Sequence, residues 1–264
     1  MKIAILGTGN LGYSIAMGIL TQDDFKVKNL YLTKRNIDSL KKWDKLPNIK
    51  ISTDNKKAVR FSDVIIIAVQ PKQLQSVLEE IKPQLNAKRH TIISVVTGRK
   101  IEEIESIVGH GISIVRSMPN TAASVGQSMT CLSGNEKGME NVETAKSIFN
   151  SVGQTMCIDE KLMQAATVIC ASGIAFWMRL IRATTQGAVQ LGFDAEEAQE
   201  LSMQTALGAA SLLIKSGSHP EQEIDKVTTP SGCTIEGLNE MEHQGLSSSL
   251  IRGLVTSFEK INQI

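Results

Sequence analysis

Met1-Lys2-Ile3-Ala4-Ile5-Leu6-Gly7-Thr8-Gly9-Asn10-Leu11-Gly12 passes from a short apolar strand through three spaced glycines into the amphipathic stretch Leu11–Leu20. In this setting the spacing G-x-G-x-x-G has a mechanical meaning. The first glycine permits a tight turn, the second lets backbone approach a pyrophosphate, and the third lets helix pack closely on strand. The helix N-terminus then presents its unpaired N–H groups to the phosphates. A glycine triplet alone can be a turn that holds nothing. Its place between first strand and first helix makes Gly7, Gly9, Asn10, Leu11 and Gly12 candidate dinucleotide contacts.

Outward from this turn the same alternation continues. Leu30–Thr33, Ile49–Ser52, Val64–Val69, Thr91–Val96 and Ile112–Met118 read as strands. Ile37–Trp43, Asn55–Phe61, Lys72–Ile81 and Lys100–Val108 read as the helices between them. Val64-Ile65-Ile66-Ile67-Ala68-Val69 is apolar without alternation, as expected of a central parallel strand covered on both faces. Strand–helix repetition of this kind predicts a Rossmann-type, doubly wound α/β domain. Met129–Ser133 and Gly153–Cys157, around a helix Lys137–Ser151, are expected to extend the sheet.

Past Asp159 the strand patterns stop, which divides the chain into 1–158 and an all-α part, 159–264. Asp194-Ala195-Glu196-Glu197 is a capping-box pattern opening a helix that runs to about Lys215. Leu246, Leu250, Ile251, Leu254, Val255, Phe258 and Ile261 share one face of a last helix. The apolar excess of this half fits either core packing or a dimer interface.

Bulk composition excludes several classes. The 264 residues are 42% hydrophobic and 21% charged with net charge +1, an ordinary globular composition without a basic field for nucleic acid or an anionic membrane. Cys131, Cys157, Cys170 and Cys233 show no C-x-x-C spacing, and His90, His110, His219 and His243 show no ligand pairing. No metal site and no disulfide framework is expected. The longest purely apolar run, Val64–Val69, is too short to span a bilayer, so a soluble, cytoplasmic protein is expected.

The end of the second strand selects the cofactor. NAD-specific domains place an acid there for the ribose 2′-hydroxyl. This chain has Thr33-Lys34-Arg35-Asn36, with no acid before Asp38. Arg35 can grip a 2′-phosphate in bidentate fashion, with Lys34 or the Thr33 hydroxyl adding contacts, which favours NADPH over a weaker NADH. The alternative is a solvated turn. Ala68, Val69, Gln70 and Pro71, at the carboxyl end of the fourth strand, are further cofactor candidates, although Pro71 also suits the start of a helix.

Two later segments complete the pattern: Met118-Pro119-Asn120-Thr121 at the end of the sixth strand, and Val227-Thr228-Thr229-Pro230-Ser231-Gly232-Cys233-Thr234 in the helical half. In order and spacing, these and the opening turn resemble the pyrroline-5-carboxylate reductase family. The resemblance implies NADPH-dependent hydride transfer to the C=N bond of Δ1-pyrroline-5-carboxylate, giving L-proline. It also implies a helical domain that interlocks with a second subunit, an active site shared between one subunit's cofactor domain and the partner's helices, and a homodimer or ring of dimers. By position it carries Thr229, Gly232, Cys233 and Thr234 over as substrate-binding residues. The Gly232 and Cys233 N–H groups would hold the carboxylate, and the catalytic Thr234 hydroxyl would orient the ring nitrogen. Asn120 would line the crevice near the nicotinamide.

The residue inventory suits that chemistry. A protonated C=N bond accepts hydride readily, so such a site needs orientation of the reactants and little acid–base machinery. Read without the resemblance, the Thr228–Thr234 loop is a plain helix N-terminus, with Thr234 capping Gly237.

Two segments depart from the family pattern. Cys170-Ala171-Ser172-Gly173-Ile174-Ala175-Phe176 lacks a serine, a glycine and a proline, which predicts a more helical, less bent pocket wall. In the loop, Ser231 replaces a glycine and Cys233 brings a thiol. A reductase of the same plan acting on a related imine or a small keto or hydroxy acid is the alternative enzyme. None of Lys161, Lys215, Lys226 and Lys260 sits in the G-x-x-x-K or K-x-x-x-N context of hydroxyacid dehydrogenases. A non-catalytic NADPH sensor is the other alternative, and it would have no use for the Thr229–Thr234 loop.

Overall fold

The computed structural model of the chain describes residues 1–21, 29–43 and 45–262. Its contacts divide the chain into two compact units, Met1–Ala171 and Ser172–Lys260.

The first unit is built on one eight-stranded sheet: β1 (Lys2–Leu6), β2 (Asn29–Thr33), β3 (Ile49–Ser52), β4 (Val64–Ile67), β5 (Thr91–Ser94), β6 (Ser113–Met118), β7 (Ser128–Gly134) and β8 (Gly153–Cys157). Their spatial order is β3-β2-β1-β4-β5-β6-β7-β8, with the first six parallel. β7 runs antiparallel to β6, and β8 runs parallel to β7. The chain order reverses beside β1, between β1 and β4, so a crevice opens there at the carboxyl ends of the strands.

The helices of this unit are α1 (Asn10–Thr21), α2 (Asn55–Arg60), α3 (Leu74–Ile81), α4 (Ile101–Val108), α5 (Glu136–Glu140), α6 (Val142–Phe149) and α7 (Met163–Ala166). Two apolar cores cover the two faces of the sheet. One holds Ile3, Ile5, Ile66 and Ile93 with Ile15 and Ile19 of α1 and Phe149 of α6. The other holds Ala4, Ile65, Ile67 and Ile92 with Leu78 of α3 and Ile104 of α4. All four residues of β4 are buried, as its unalternating sequence predicts.

Three elements differ from the sequence reading. Ile37–Trp43 is not an α-helix; Asp38–Trp43 winds as a 3₁₀ helix that buries Leu40 and Trp43. Those two residues are three apart, one full turn at 3.0 residues per turn. The stretch Lys137–Ser151 is two helices, broken at Asn141. Gly138 in the first is pressed so closely on β6 that an added Cβ would overlap the Ile114 carbonyl. The compact unit also continues past the expected division at 158 to Ala171. Glu160 reaches back to bond Arg116 of β6 and the Ile101 N–H of α4, and Met163 packs under Met118.

The second unit is helical: α8 (Gly173–Gln190), α9 (Ala195–Ser216), α10 (Pro220–Val227), α11 (Cys233–His243) and α12 (Leu246–Ile261). The Asp194 carboxylate accepts from the Glu196 and Glu197 N–H groups and so caps α9 as its sequence predicts. α8 and α9 pack together, with the small residues Thr185, Ala198 and Ser202 buried. No described residue of α10, α11 or α12 is buried. Among the described residues, one helical stretch, Glu160–Gln190, is long and apolar enough to cross a membrane by length and composition alone. A criterion of unbroken apolar runs misses it because polar residues interrupt the run.

Candidate functional site

Each glycine of the first turn has a separate physical reason to be glycine. Gly7 has φ +92°, and an added Cβ would lie 2.7 Å from both the Ala68 carbonyl oxygen and Val69 Cγ1. At Gly12 a Cβ would lie 2.7 Å from the Gly7 carbonyl oxygen, so this glycine lets α1 sit close on β1. At Gly9 a Cβ would meet nothing within 4 Å. Gly9 therefore opens onto empty space, the room a pyrophosphate needs at the start of α1. The Gly7 and Thr8 N–H groups and the Thr8 hydroxyl all donate to the Thr33 carbonyl, which ties the turn to the end of β2.

Three hollows surround the N-terminus of α1. The largest, about 600 Å³, is walled by Gly7 and Gly9, the β2 end Thr33-Lys34-Arg35, the β4 end Ala68-Val69-Gln70, and Asn55 and Glu80. A second, about 460 Å³, lies on the other side among Asn10, Leu11, Ser14, Val95, Thr97 and Asn120. Between them a hollow of about 380 Å³ is lined by Thr8, Gly9, Asn10, Tyr13 and Lys34. One nucleotide on each side of a pyrophosphate is what such a path accommodates. The residues present fit a dinucleotide, and Arg35, exposed at the end of β2 with no carboxylate beside it in sequence, fits a 2′-phosphate.

Several of the expected contacts already make hydrogen bonds within the chain. The Thr33 hydroxyl donates to Asn55 Oδ1 at 2.7 Å, and Asn55 Nδ2 donates to Glu80 Oε2 at 2.9 Å. Thr33 is thus spent as a donor, and Lys34 Nζ donates to the Ser39 hydroxyl. Lys34 keeps two further N–H donors, and it lines the first hollow together with Arg35. Gln70 and Pro71 form the start of a short 3₁₀ turn, with the Gln70 N–H donating to Gln73 Oε1. Thr53, Asn55, Gln73, Ser76 and Glu80 also line the first hollow, and Val95 and Thr97 the second, without having been singled out in the sequence. Their signal is position, since Thr53 and Val95 follow directly on the carboxyl ends of β3 and β5.

Asn120 lines the second hollow, but its amide is committed to the scaffold. Oδ1 accepts from the Ala122 N–H, Nδ2 donates to the Cys170 carbonyl at 3.0 Å, and its own N–H donates to the Ser128 hydroxyl. It braces the crevice wall. The neighbouring segment Thr167–Ser172 is a π-helical turn continuous with α7 and α8. The Cys170–Phe176 segment is thus helical, as its missing glycine and proline predict, and its first part is π-wound.

In the second unit, the Thr229 carbonyl accepts from the Gly232 N–H at 2.9 Å and closes a turn with Pro230 second and Ser231 third. Ser231 has φ 56°, the one positive φ of a non-glycine among the described residues. Proline second and positive φ third define a type II turn, and a serine there costs about 1–2 kcal/mol against glycine. An added Cβ at Gly232 would lie 2.4 Å from Thr229 Oγ1, so this position is closed to other side chains. The Gly232 N–H expected to hold a carboxylate is therefore occupied. The donors the helix start leaves open are those of Cys233, Thr234 and Ile235, the first three residues of α11. Thr234 makes no capping bond, because Gly232 is the N-cap and offers no side chain.

A family model described as pyrroline-5-carboxylate reductase dimerisation matches residues 160–264. One described as NADP oxidoreductase, coenzyme F420-dependent, matches residues 2–98. Pyrroline-5-carboxylate reductase 1 of Dictyostelium discoideum is 46% identical over 98% of this chain, which spans 49% of that protein's length. Pyrroline-5-carboxylate reductase 2 of the same organism is 43% identical, over 98% of this chain and 91% of its own. The crystal structure of Plasmodium falciparum pyrroline carboxylate reductase with NADP bound superimposes with a TM-score of 0.85 at 29% identity, covering 99% of this chain and 97% of that one.

Proposed function

The chain belongs to the pyrroline-5-carboxylate reductase family, and on that premise we propose that it reduces the C=N bond of Δ1-pyrroline-5-carboxylate with NADPH to give L-proline. The observation that carries the reading is the path of three hollows around the glycine turn, with Gly9 open and Arg35 exposed at the end of β2. NADPH, when bound, supplies the hydride. The chain's own residues bind and orient. The N-terminus of α1 holds the pyrophosphate, Arg35 the 2′-phosphate, and Asn10, Leu11, Val95 and Thr97 the nicotinamide side.

The Thr228–Thr234 loop takes the imine. The N–H groups of Cys233 and Thr234 bind its carboxylate with the favourable end of the α11 dipole behind them, and the Thr234 hydroxyl orients the ring nitrogen. Thr229 shapes the turn that aims these donors. Because the imine nitrogen is protonated before binding, no side chain has to act as a strong acid.

Residues 159–264 form the dimerisation and substrate domain, whose first turns, up to Ala171, pack with the cofactor domain 1–158. The exposed apolar residues of the helical unit serve an interface between copies, the assembly is a homodimer or a ring of dimers, and the enzyme works in the cytoplasm. Support for the interface comes from residues such as Trp177 and Leu191, which the helical unit leaves exposed.

NADPH consumption, followed by absorbance, tests the reading with Δ1-pyrroline-5-carboxylate, a six-membered cyclic imine acid and a 2-keto acid offered in parallel. Fast turnover of the five-membered imine is the expected result. Tight NADPH binding with turnover only of another substrate would reassign the substrate, and binding without any turnover would make the protein a sensor.

A further inference from the structure

Behind the crevice wall lies a small sulfur-rich cluster. Met118 of β6, Cys131 of β7 and Met163 of α7 are buried together, and Cys170 of the π-helical turn packs against them. Cys131 stands opposite Met118 in the β6–β7 ladder. Cys170 is bound through its carbonyl to Asn120, two residues beyond Met118. The two cysteines thus come from distant parts of the chain to one cluster. The neighbouring Cys131 thiol lowers the Cys170 thiol to about 7, while Cys170 and then burial push Cys131 up. Cys131 is buried and Cys170 only partly so. Cys170 is followed directly by Ala171, which lines the second hollow.

We propose that Cys131 and Cys170 form an oxidisable dithiol, a modification site for small hydroperoxides, whose disulfide slows the reductase by displacing the wall that Asn120 braces. The chemistry is a two-electron oxidation of the pair. The Cys170 thiolate attacks one oxygen of hydrogen peroxide, the O–O bond breaks, hydroxide leaves, and Cys170 becomes a sulfenic acid. Cys131 sulfur then attacks the Cys170 sulfur, and the sulfenic hydroxyl departs with the Cys131 proton as water. One S–S bond has formed, and the peroxide has been reduced to two molecules of water.

The division of labour follows from the surroundings. The more accessible and more acidic thiol reacts first, and the buried one resolves it. The consequence reaches the crevice through one hydrogen bond. Drawing Cys170 toward β7 moves its carbonyl, which is the acceptor for Asn120 Nδ2. Cys157 is exposed and stands outside this cluster, so it serves as an internal reference.

The test treats the purified protein with increasing hydrogen peroxide and reads two signals. After alkylation, peptide mapping without reductant should join the Cys131 peptide to the Cys170 peptide. NADPH turnover of the imine should fall about tenfold in parallel and return with dithiothreitol, within the range that ångström-scale misplacement costs. In Cys131→Ser the joined peptide should be missing and Cys170 should be trapped by dimedone as the sulfenic acid. Free Cys131 and Cys170 at a peroxide dose that oxidises Cys157 would overturn the proposal, and so would a joined peptide with unchanged turnover. The turnover signal rests on the reductase reading and the peptide map does not, so failure of one is distinguishable from failure of the other.

Discussion

Two isoleucines mark the contrast between the two units. Ile66 in β4 is 0% exposed, enclosed by neighbours of its own unit, whereas Ile214 near the end of α9 is 82% exposed. In the first unit, strands read as apolar are apolar because the same chain covers them on both faces. In the second, Leu207, Leu212 and Ile214 of α9 and Ile251 and Val255 of α12 lie open. A sheet between two helical layers is complete in one copy. The helical unit leaves apolar surface exposed, and it is the part of the chain that matches the family's dimerisation model.

One substitution made in both places should break the contrast most severely. Ile66→Asp buries an unpaired carboxylate in the central strand at a cost of at least about 4 kcal/mol, and should abolish the cooperative thermal transition. Ile214→Asp should leave helical circular dichroism intact and shift light scattering from oligomer to monomer. An unchanged mass would mean that the α9 face is not an interface.

A second comparison sets Gly9 against its neighbours. Since nothing approaches its Cβ position, Gly9→Leu should change stability by no more than about 0.5 kcal/mol, yet abolish NADPH binding in calorimetry. Gly7→Ala, with φ +92° and a backbone clash, should lower the melting temperature as well. Arg35→Ala should raise the KM for NADPH about ten- to a hundredfold and barely alter that for NADH. Equal effects would remove the 2′-phosphate assignment.

The smallest effect is a pH dependence confined to the first unit. His90 is buried, and its Nδ1 accepts from the Asn86 N–H. Burial and then the Arg89 charge hold its pKa below the ordinary 6.5. The unfolded chain therefore binds a proton that the folded one resists, so stability falls as pH drops below about 6.5, down through the lowered folded value. His90→Gln should show a shallower loss of melting temperature between pH 7.5 and 5.5 if this group is responsible.

The sheet was legible because its signal is local and unambiguous. An unbroken apolar β4 and a glycine turn between strand and helix have few other readings. Short helices were less legible. Over the six residues of Asp38–Trp43, periods of 3.0 and 3.6 residues place the same side chains inward, and a break at Asn141 leaves no mark in an amphipathic pattern.

Within the site, residue types were legible and their commitments were not. Sequence shows that Thr33, Asn120 and Gly232 carry donors, and only geometry shows those donors engaged by Asn55, Cys170 and Thr229. Asn55 and Glu80 were missed because they belong to no motif; the fold brings them to the wall of the first hollow from α2 and α3.

Hydride transfer from NADPH to the imine carbon is tested most directly with NADPH carrying deuterium at the transferable nicotinamide position, with Δ1-pyrroline-5-carboxylate as acceptor and mass spectrometry of the product. The expected product is proline with one deuterium on the former imine carbon, formed in step with NADPH consumption. Proline without the label, or NADPH consumed with no proline formed, would contradict it.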